Sequence, residues 1–167
     1  RNRMALALSQ PVRTQRITAY VTSLQMSPPV YLAVLDGGGE RFPQQFKIAE
    51  LCEYLCIVLD HNKSDSDSTV DEARLSEHQQ FLNQVRHHLE ESNTQKKEWV
   101  HFLLNKHDLW QRASDTHKEQ FQTFCSAELD RWKQGRFSAG VNSSPHSNSA
   151  PDDVAKFVTL LKESVRR

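Results

Sequence analysis

The sequence predicts an α/β fold with a mostly parallel sheet and helices on both faces. Three observations predict this class: apolar runs of strand length, amphipathic runs of helical length between them, and polar turns where each run ends. The chain has 167 residues, of which 37% are apolar, with 21 basic and 21 acidic side chains. This length and composition are typical of one globular domain, and the balanced charge argues against nucleic acid as a partner.

The strand predictions depend on β-branched and aromatic residues and on breaks at turns. Residues 17–25 and the apolar run 30–35 flank a Ser-Pro-Pro turn and are predicted to form an antiparallel hairpin. Two continuous apolar runs, 54–59 and 98–104, are predicted as buried strands, and a short strand is predicted at 136–139.

Helices are predicted over residues 4–10, 43–52, 71–92, 115–134 and from Pro151 to the end. In the three longest, apolar side chains recur at helical spacing and are expected to face inward: Leu75, Leu82, Val85 and Leu89; Phe121, Phe124, Cys125, Leu129 and Trp132; and Val154, Phe157, Val158, Leu161 and Val165. Polar loops are predicted at 60–71 and 141–151. The first begins like a calcium loop but lacks the required glycine, so a solvated loop is favoured.

The cysteine count bears on the compartment. Three cysteines cannot all pair and contain no C-x-x-C pair, which favours a reducing, cytoplasmic location. No apolar run approaches the roughly 20 residues of a membrane-spanning helix, so no transmembrane segment is predicted.

Polar motifs follow three of the predicted strands, where ligands of α/β sheets bind. Asp36-Gly37-Gly38-Gly39 combines a carboxylate that suits a metal ion with glycines that admit a phosphate, although a plain glycine turn has the same pattern. Asn105-Lys106-His107-Asp108 offers a carboxylate for the two N–H groups of guanine, the alternative being a helix cap. Ser138-Ala139-Gly140 offers backbone N–H groups to a base carbonyl.

In their order and spacing, these motifs resemble the Asp-x-x-Gly, Asn-Lys-x-Asp and Ser-Ala-x motifs of the Ras-like superfamily of small GTPases. The resemblance covers essentially the whole chain. It implies a single domain over 1–167 with the three-layer Ras-like sheet and its antiparallel edge hairpin.

The resemblance also implies roles for individual residues. Asp36 holds Mg²⁺ through water and Gly39 contacts the γ-phosphate, while Thr14 is the magnesium-binding threonine of the first switch. Asn105, Lys106 and Asp108 select guanine, and Ser138 and Ala139 support the base. Glu40 stands where many members carry a water-orienting glutamine, and its charge near the γ-phosphate predicts weak catalysis.

The family's first strand and phosphate-binding loop have no counterpart in this sequence, which contains no G-x-x-x-x-G-K-[ST] pattern. The layout therefore predicts a fragment of a longer polypeptide without the first strand. The function implied is a guanine-nucleotide-binding, GTPase-type switch with weak or absent hydrolysis. Its ligands are GTP or GDP and Mg²⁺, and its partner is an effector or regulatory protein. The alternative is a pseudo-GTPase or a non-catalytic protein-interaction module.

Overall fold

The computed structural model describes residues 18–36, 42–92, 97–134 and 140–166. The fold is mixed α/β, as predicted, and the chain divides into two compact units, residues 1–51 and 52–167. The predicted helix over 4–10 lies outside the described residues. None of the described helices is both long enough and apolar enough to cross a membrane.

The first unit contains a β-hairpin and one helix. Strands β1 (Thr18–Leu24) and β2 (Val30–Asp36) pair antiparallel, with Thr18 opposite Asp36 and Leu24 opposite Val30, which confirms the predicted pairing. They form a two-stranded sheet of their own and not, as predicted, an edge of the parallel sheet. Helix α1 (Phe42–Leu51) follows, close to its predicted bounds. Because side chains alternate along a strand, the hairpin presents apolar residues on both of its faces.

The second unit is built on a three-stranded parallel sheet. Its strands are β3 (Tyr54–Leu59), β4 (Trp99–Leu104) and β5 (Val141–Pro145), in the order β3-β4-β5. Helix α2 (Glu72–Glu91) connects β3 to β4, and the short helix α3 (His107–Trp110) and helix α4 (Asp115–Lys133) connect β4 to β5. Helix α5 (Pro151–Val165) follows β5. The carboxyl ends of all three strands therefore lie at one edge of the sheet.

Two strand predictions need correction. Residues 141–151 were expected to be a loop throughout, but their first half forms β5, because pairing with β4 and burial of Val141 outweigh the low strand propensity of Asn, Ser and Pro. The strand predicted at 136–139 lies outside the described residues. β3 was expected to be buried throughout, yet Ile57 and Leu59 are buried while Cys56 and Val58 are exposed, as in a strand covered on one face.

Helices α2 and α4 cover one face of this sheet. Phe102 of β4 meets Trp132 of α4 edge to face, with ring centroids 5.8 Å apart. The predicted apolar stripe of α2 is buried as a whole, and Phe121, Cys125 and Trp132 of α4 are buried as predicted. Burial raises the pKa of the Cys125 thiol to about 12.

Helix α5 covers part of the opposite face. The ring of Phe157 lies 6.4 Å from Trp99 and 6.2 Å from His101, two β4 residues that alternate with Phe102. All of the α5 side chains remain at least partly accessible, and Val154 is 40% exposed. The apolar stripe predicted for this helix therefore forms a shallower contact than those of α2 and α4.

Candidate functional site

Three segments leave the sheet at the carboxyl ends of its strands: 60–71 after β3, 105–108 after β4 and 146–149 after β5. The backbone N–H of Asn105 donates to the carbonyl of Leu59 over 2.7 Å. The N–H of His107 donates to the carbonyl of His146 over 3.0 Å, and the N–H of His146 donates to Leu104 over 2.9 Å. These bonds fix the three segments relative to one another.

Lys106 turns the chain from β4 into α3. Its φ of 56° lies in the left-handed region, and it is the one non-glycine residue with a positive φ in the described ranges. Left-handed backbone is unfavourable for a residue with a Cβ atom, so such a residue persists where its surroundings hold it.

Oxygen atoms of the 60–71 segment surround the ammonium of Lys106. Its Nζ donates to the carbonyls of Asn62, Lys63 and Ser64 over 2.9, 3.2 and 2.8 Å. The Asp65 carboxylate lies 3.0 Å away and Asp60 Oδ2 lies 3.9 Å away. The side chain that motif analysis assigned to guanine therefore has its charge anchored in the preceding loop.

The 60–71 segment, expected to be a solvated loop, is held by internal hydrogen bonds. The Asn62 side chain accepts from the N–H of Ser64 over 2.9 Å and donates to the carbonyl of Thr69 over 3.1 Å. The ring of His61 is buried, and its Nε2 donates to the carbonyl of Asp67 over 2.9 Å. The segment ends at Asp71, whose carboxylate caps α2 by accepting from the N–H groups of its first turn.

Asp60 forms an ion pair with α2 at the start of this segment. Its Oδ1 lies 2.6 Å from Arg74 Nε and 2.8 Å from His78 Nε2. Burial alone would raise the pKa of Asp60, but the hydrogen bonds from His78 and Arg74 outweigh it and hold that pKa far below its usual range. The carboxylate is therefore ionised at neutral pH, close to the Lys106 ammonium.

Asp108 is held by a residue that motif analysis missed. The buried Ser147 donates through Oγ to Asp108 Oδ1 over 2.6 Å, and Ser149 Oγ lies 2.7 Å from Ser147 Oγ. Among the described residues, none donates to Asp108 Oδ2 or hydrogen-bonds the Asn105 side chain. A carboxylate that is fixed through one oxygen and accepts no bond from the described residues at the other suits a ligand with adjacent N–H donors.

The structure thus brings Asn105, Lys106 and Asp108 to one sheet edge, as predicted. The strand β2 ends at Asp36, in the first unit, and its side chain is not described. Thr14, Gly39, Glu40, Ser138 and Ala139 lie outside the described residues, so their roles stay predictions.

The residues that follow β5 are His146 to Ser149, and Ser138 and Ala139 precede this strand in the chain. Ser147 was hidden in a serine-rich run that was taken for a loop. Ser147 lies two residues after the end of β5. Its position could therefore have been predicted only if β5 had been recognised in the sequence.

No protein-family model matches the chain, and no curated protein matches it. Within the part of the chain that the structure describes, no group of three or more His, Cys, Asp or Glu side chains is arranged to hold a metal ion.

Proposed function

We propose that this chain is a guanine-nucleotide-binding domain of the small-GTPase type, acting as a switch with weak or absent GTP hydrolysis. One observation carries the proposal: beyond the carboxyl end of the central strand β4, the Asp108 carboxylate is fixed by Ser147, and no residue that the structure describes donates to its second oxygen. Parallel α/β sheets bind their ligands at this edge.

The donor pattern of guanine fits this carboxylate. Guanine presents a ring N–H and an exocyclic amino group side by side, and the two oxygens of a carboxylate accept one bond from each. Adenine presents no such pair of donors on its corresponding edge. In this proposal the Asn105 carboxamide supplies a donor and an acceptor next to the base. The side chain of Lys106 extends toward residues 62–64.

The phosphate half of the proposal depends on the motifs alone. In it, Asp36 and Thr14 hold Mg²⁺, Gly39 contacts the γ-phosphate, and Glu40 orients the attacking water. Ser138 and Ala139 support the base. The proposed layout is the Ras-like three-layer sheet, in which GTP and Mg²⁺ order the two switch segments for an effector or regulatory protein and hydrolysis releases them.

The test is calorimetric titration with GDP, GTP and ATP in the presence of Mg²⁺, on this chain and on the product of its whole reading frame. We expect binding that is selective for guanine. Asp108→Asn is expected to weaken GDP binding and to shift the preference toward xanthosine diphosphate, because the asparagine amino group can donate to the carbonyl that replaces guanine's amine.

The matched control is Asp115→Asn, an exposed aspartate at the start of α4 that pairs with Lys118. It is expected to leave both affinity and base preference unchanged. Binding of GDP and ATP with equal affinity, or an unchanged base preference in Asp108→Asn, contradicts the proposal.

A second candidate function is a pseudo-GTPase or interaction module that binds a partner without turnover. The hairpin of the first unit favours it, because Val21 is 76% and Tyr31 73% exposed on one face. In that case Val21→Lys is expected to abolish partner capture, and the captured partner is the same with GDP, with GTP or without nucleotide.

A further inference from the structure

At the Lys106 turn, the backbone conformation is unfavourable, and every N–H donor of the side-chain ammonium has an acceptor. An ammonium group has three N–H donors, and the three carbonyls of residues 62–64 accept all three. The side chain is 13% exposed, and Asp65 adds a carboxylate to the same cluster. No donor of the Lys106 ammonium is left for a ligand while this arrangement holds.

The backbone at Lys106 determines where its neighbours lie. Asn105 is tied to β3 through Leu59, and His107 is tied to the segment after β5 through His146. Asp108, one residue further, reaches Ser147 of that segment. A left-handed residue between these anchors lets the chain leave β4 and enter α3 within two residues, so that Asn105 and Asp108 both lie at the carboxyl end of β4.

We propose that Lys106 is a positioning residue of the guanine site. The carbonyls of residues 62–64 hold its ammonium, the ammonium holds the backbone left-handed, and that backbone sets the spacing of Asn105 and Asp108. This inference rests on the proposed function. It differs from a direct role, in which the lysine donates to the nucleotide or lays its methylenes over the base.

Three substitutions separate these roles. Lys106→Gly removes the side chain but adopts positive φ without a Cβ clash, Lys106→Ala removes the side chain and keeps the clash, and Lys106→Met keeps the aliphatic stem. For a positioning residue, GDP binds the glycine variant most tightly of the three, and the alanine and methionine variants bind about tenfold more weakly than the glycine variant. Lys133→Ala, at an exposed position of α4, is the control and is expected to match the unmodified chain.

The outcomes are distinct. Binding by Lys106→Met that is tighter than that of both Lys106→Gly and Lys106→Ala means that the stem packs on the base. Equal losses in all three variants mean that the ammonium contacts the nucleotide. Either result overturns the inference while leaving the proposed function in place. If the unmodified chain and the whole reading frame bind no GDP, the proposed function itself fails, and the guanine role of Lys106 with it.

A second measurement tests the anchor without any nucleotide. Amide hydrogen exchange at residues 62–65 is expected to accelerate in all three Lys106 variants and to stay unchanged in Lys133→Ala, because only the former lose the bonds to the three carbonyls. Unchanged exchange in the Lys106 variants shows that the loop does not depend on the ammonium and overturns the inference.

Discussion

Helices bury one face of the three-stranded sheet more completely than the other. The face under α2 and α4 is called the deeper face, and the face under α5 is called the α5 face. On one face, the apolar stripe of α2 is buried as a whole, and Phe121 and Trp132 of α4 are inaccessible to solvent. On the other face, α5 covers Trp99 and His101 with Phe157 but remains partly accessible along its length. Side chains of β4 therefore pack into a fully buried apolar core on one side. On the other side they pack into a less completely covered layer that contains buried histidines.

The two faces of the sheet also contact the candidate site through different residues. Phe121 of α4 contacts His61 of the 60–71 segment and Trp110 of α3, with ring centroids 5.9 and 5.7 Å away. The deeper face therefore supports both segments that frame Lys106. The α5 face meets the site through His146, whose ring lies 6.0 Å from Phe157.

The largest expected effect is on the deeper face. Phe121→Ala is expected to lower the free energy of unfolding by about 3–5 kcal/mol, because it removes a fully buried ring and leaves a cavity. Urea denaturation measures it. Phe124→Ala, on the same helix but only partly buried, is the matched control and should cost distinctly less. Equal losses from the two variants would contradict the burial difference.

The next effect concerns the ion pair between Asp60 and α2 on the same face. Asp60→Ala is expected to cost about 2 kcal/mol, because it leaves Arg74 and His78 without their shared carboxylate. The folded-state pKa of Asp60 lies below its unfolded value, so this contribution is present above about pH 4 and is lost as the pH falls further. Urea titrations from pH 7 to pH 3 measure both.

Between pH 4 and pH 3, the free energy of unfolding of Asp60→Ala should therefore fall by less than that of the unmodified chain. Asp130→Ala, an exposed aspartate on α4 paired with Lys133, is the control and should cost little at any pH. Parallel acid limbs in the unmodified chain and in Asp60→Ala would show that this pair does not titrate as described.

A smaller effect is expected on the α5 face. Phe157→Ala should cost about 1–2 kcal/mol, less than Phe121→Ala, because its ring is only half-buried against Trp99 and His101. Urea denaturation of the two variants side by side gives the comparison directly. A loss equal to that of Phe121→Ala would mean that both faces contribute equally.

The smallest effect is the pH dependence of that face. Burial, together with the neighbouring His146, lowers the pKa of His101, whose ring stacks on Trp99 and bonds Ser144. The folded state favours the neutral form of His101. Its contribution to the free energy of unfolding is therefore fully present above about pH 6.5 and declines as the pH falls. His101→Phe should reduce the fall in Tm between pH 7 and pH 5, while His87→Gln, at an exposed position of α2, should not.

Periodicity was sufficient to predict most of the fold. The apolar stripes of α2 and α4 and the runs of β3 and β4 are local patterns, and these four elements lie within a few residues of their predicted bounds. β5 was not predicted, because Val141–Pro145 is a mostly polar edge strand that is stabilised by its pairing with β4 and not by a local sequence pattern.

The candidate site was predictable only in part, for the same reason. Asn105, Lys106 and Asp108 were identified because they follow a recognisable strand. The bonds that orient them join residues 39 to 44 positions apart, and the pair between Asp60 and His78 spans 18 positions. Polar contacts of that range leave no periodic signal, so the 60–71 segment was taken for solvated chain.

The buried thiol of Cys125 offers a way to follow opening of the deeper face without an engineered probe. Because only thiolates react quickly with alkylating reagents, a thiol with a pKa of about 12 inside the core is inert at neutral pH until α4 separates from the sheet. The rate at which iodoacetamide modifies Cys125, read by mass spectrometry, therefore reports how often that helix detaches.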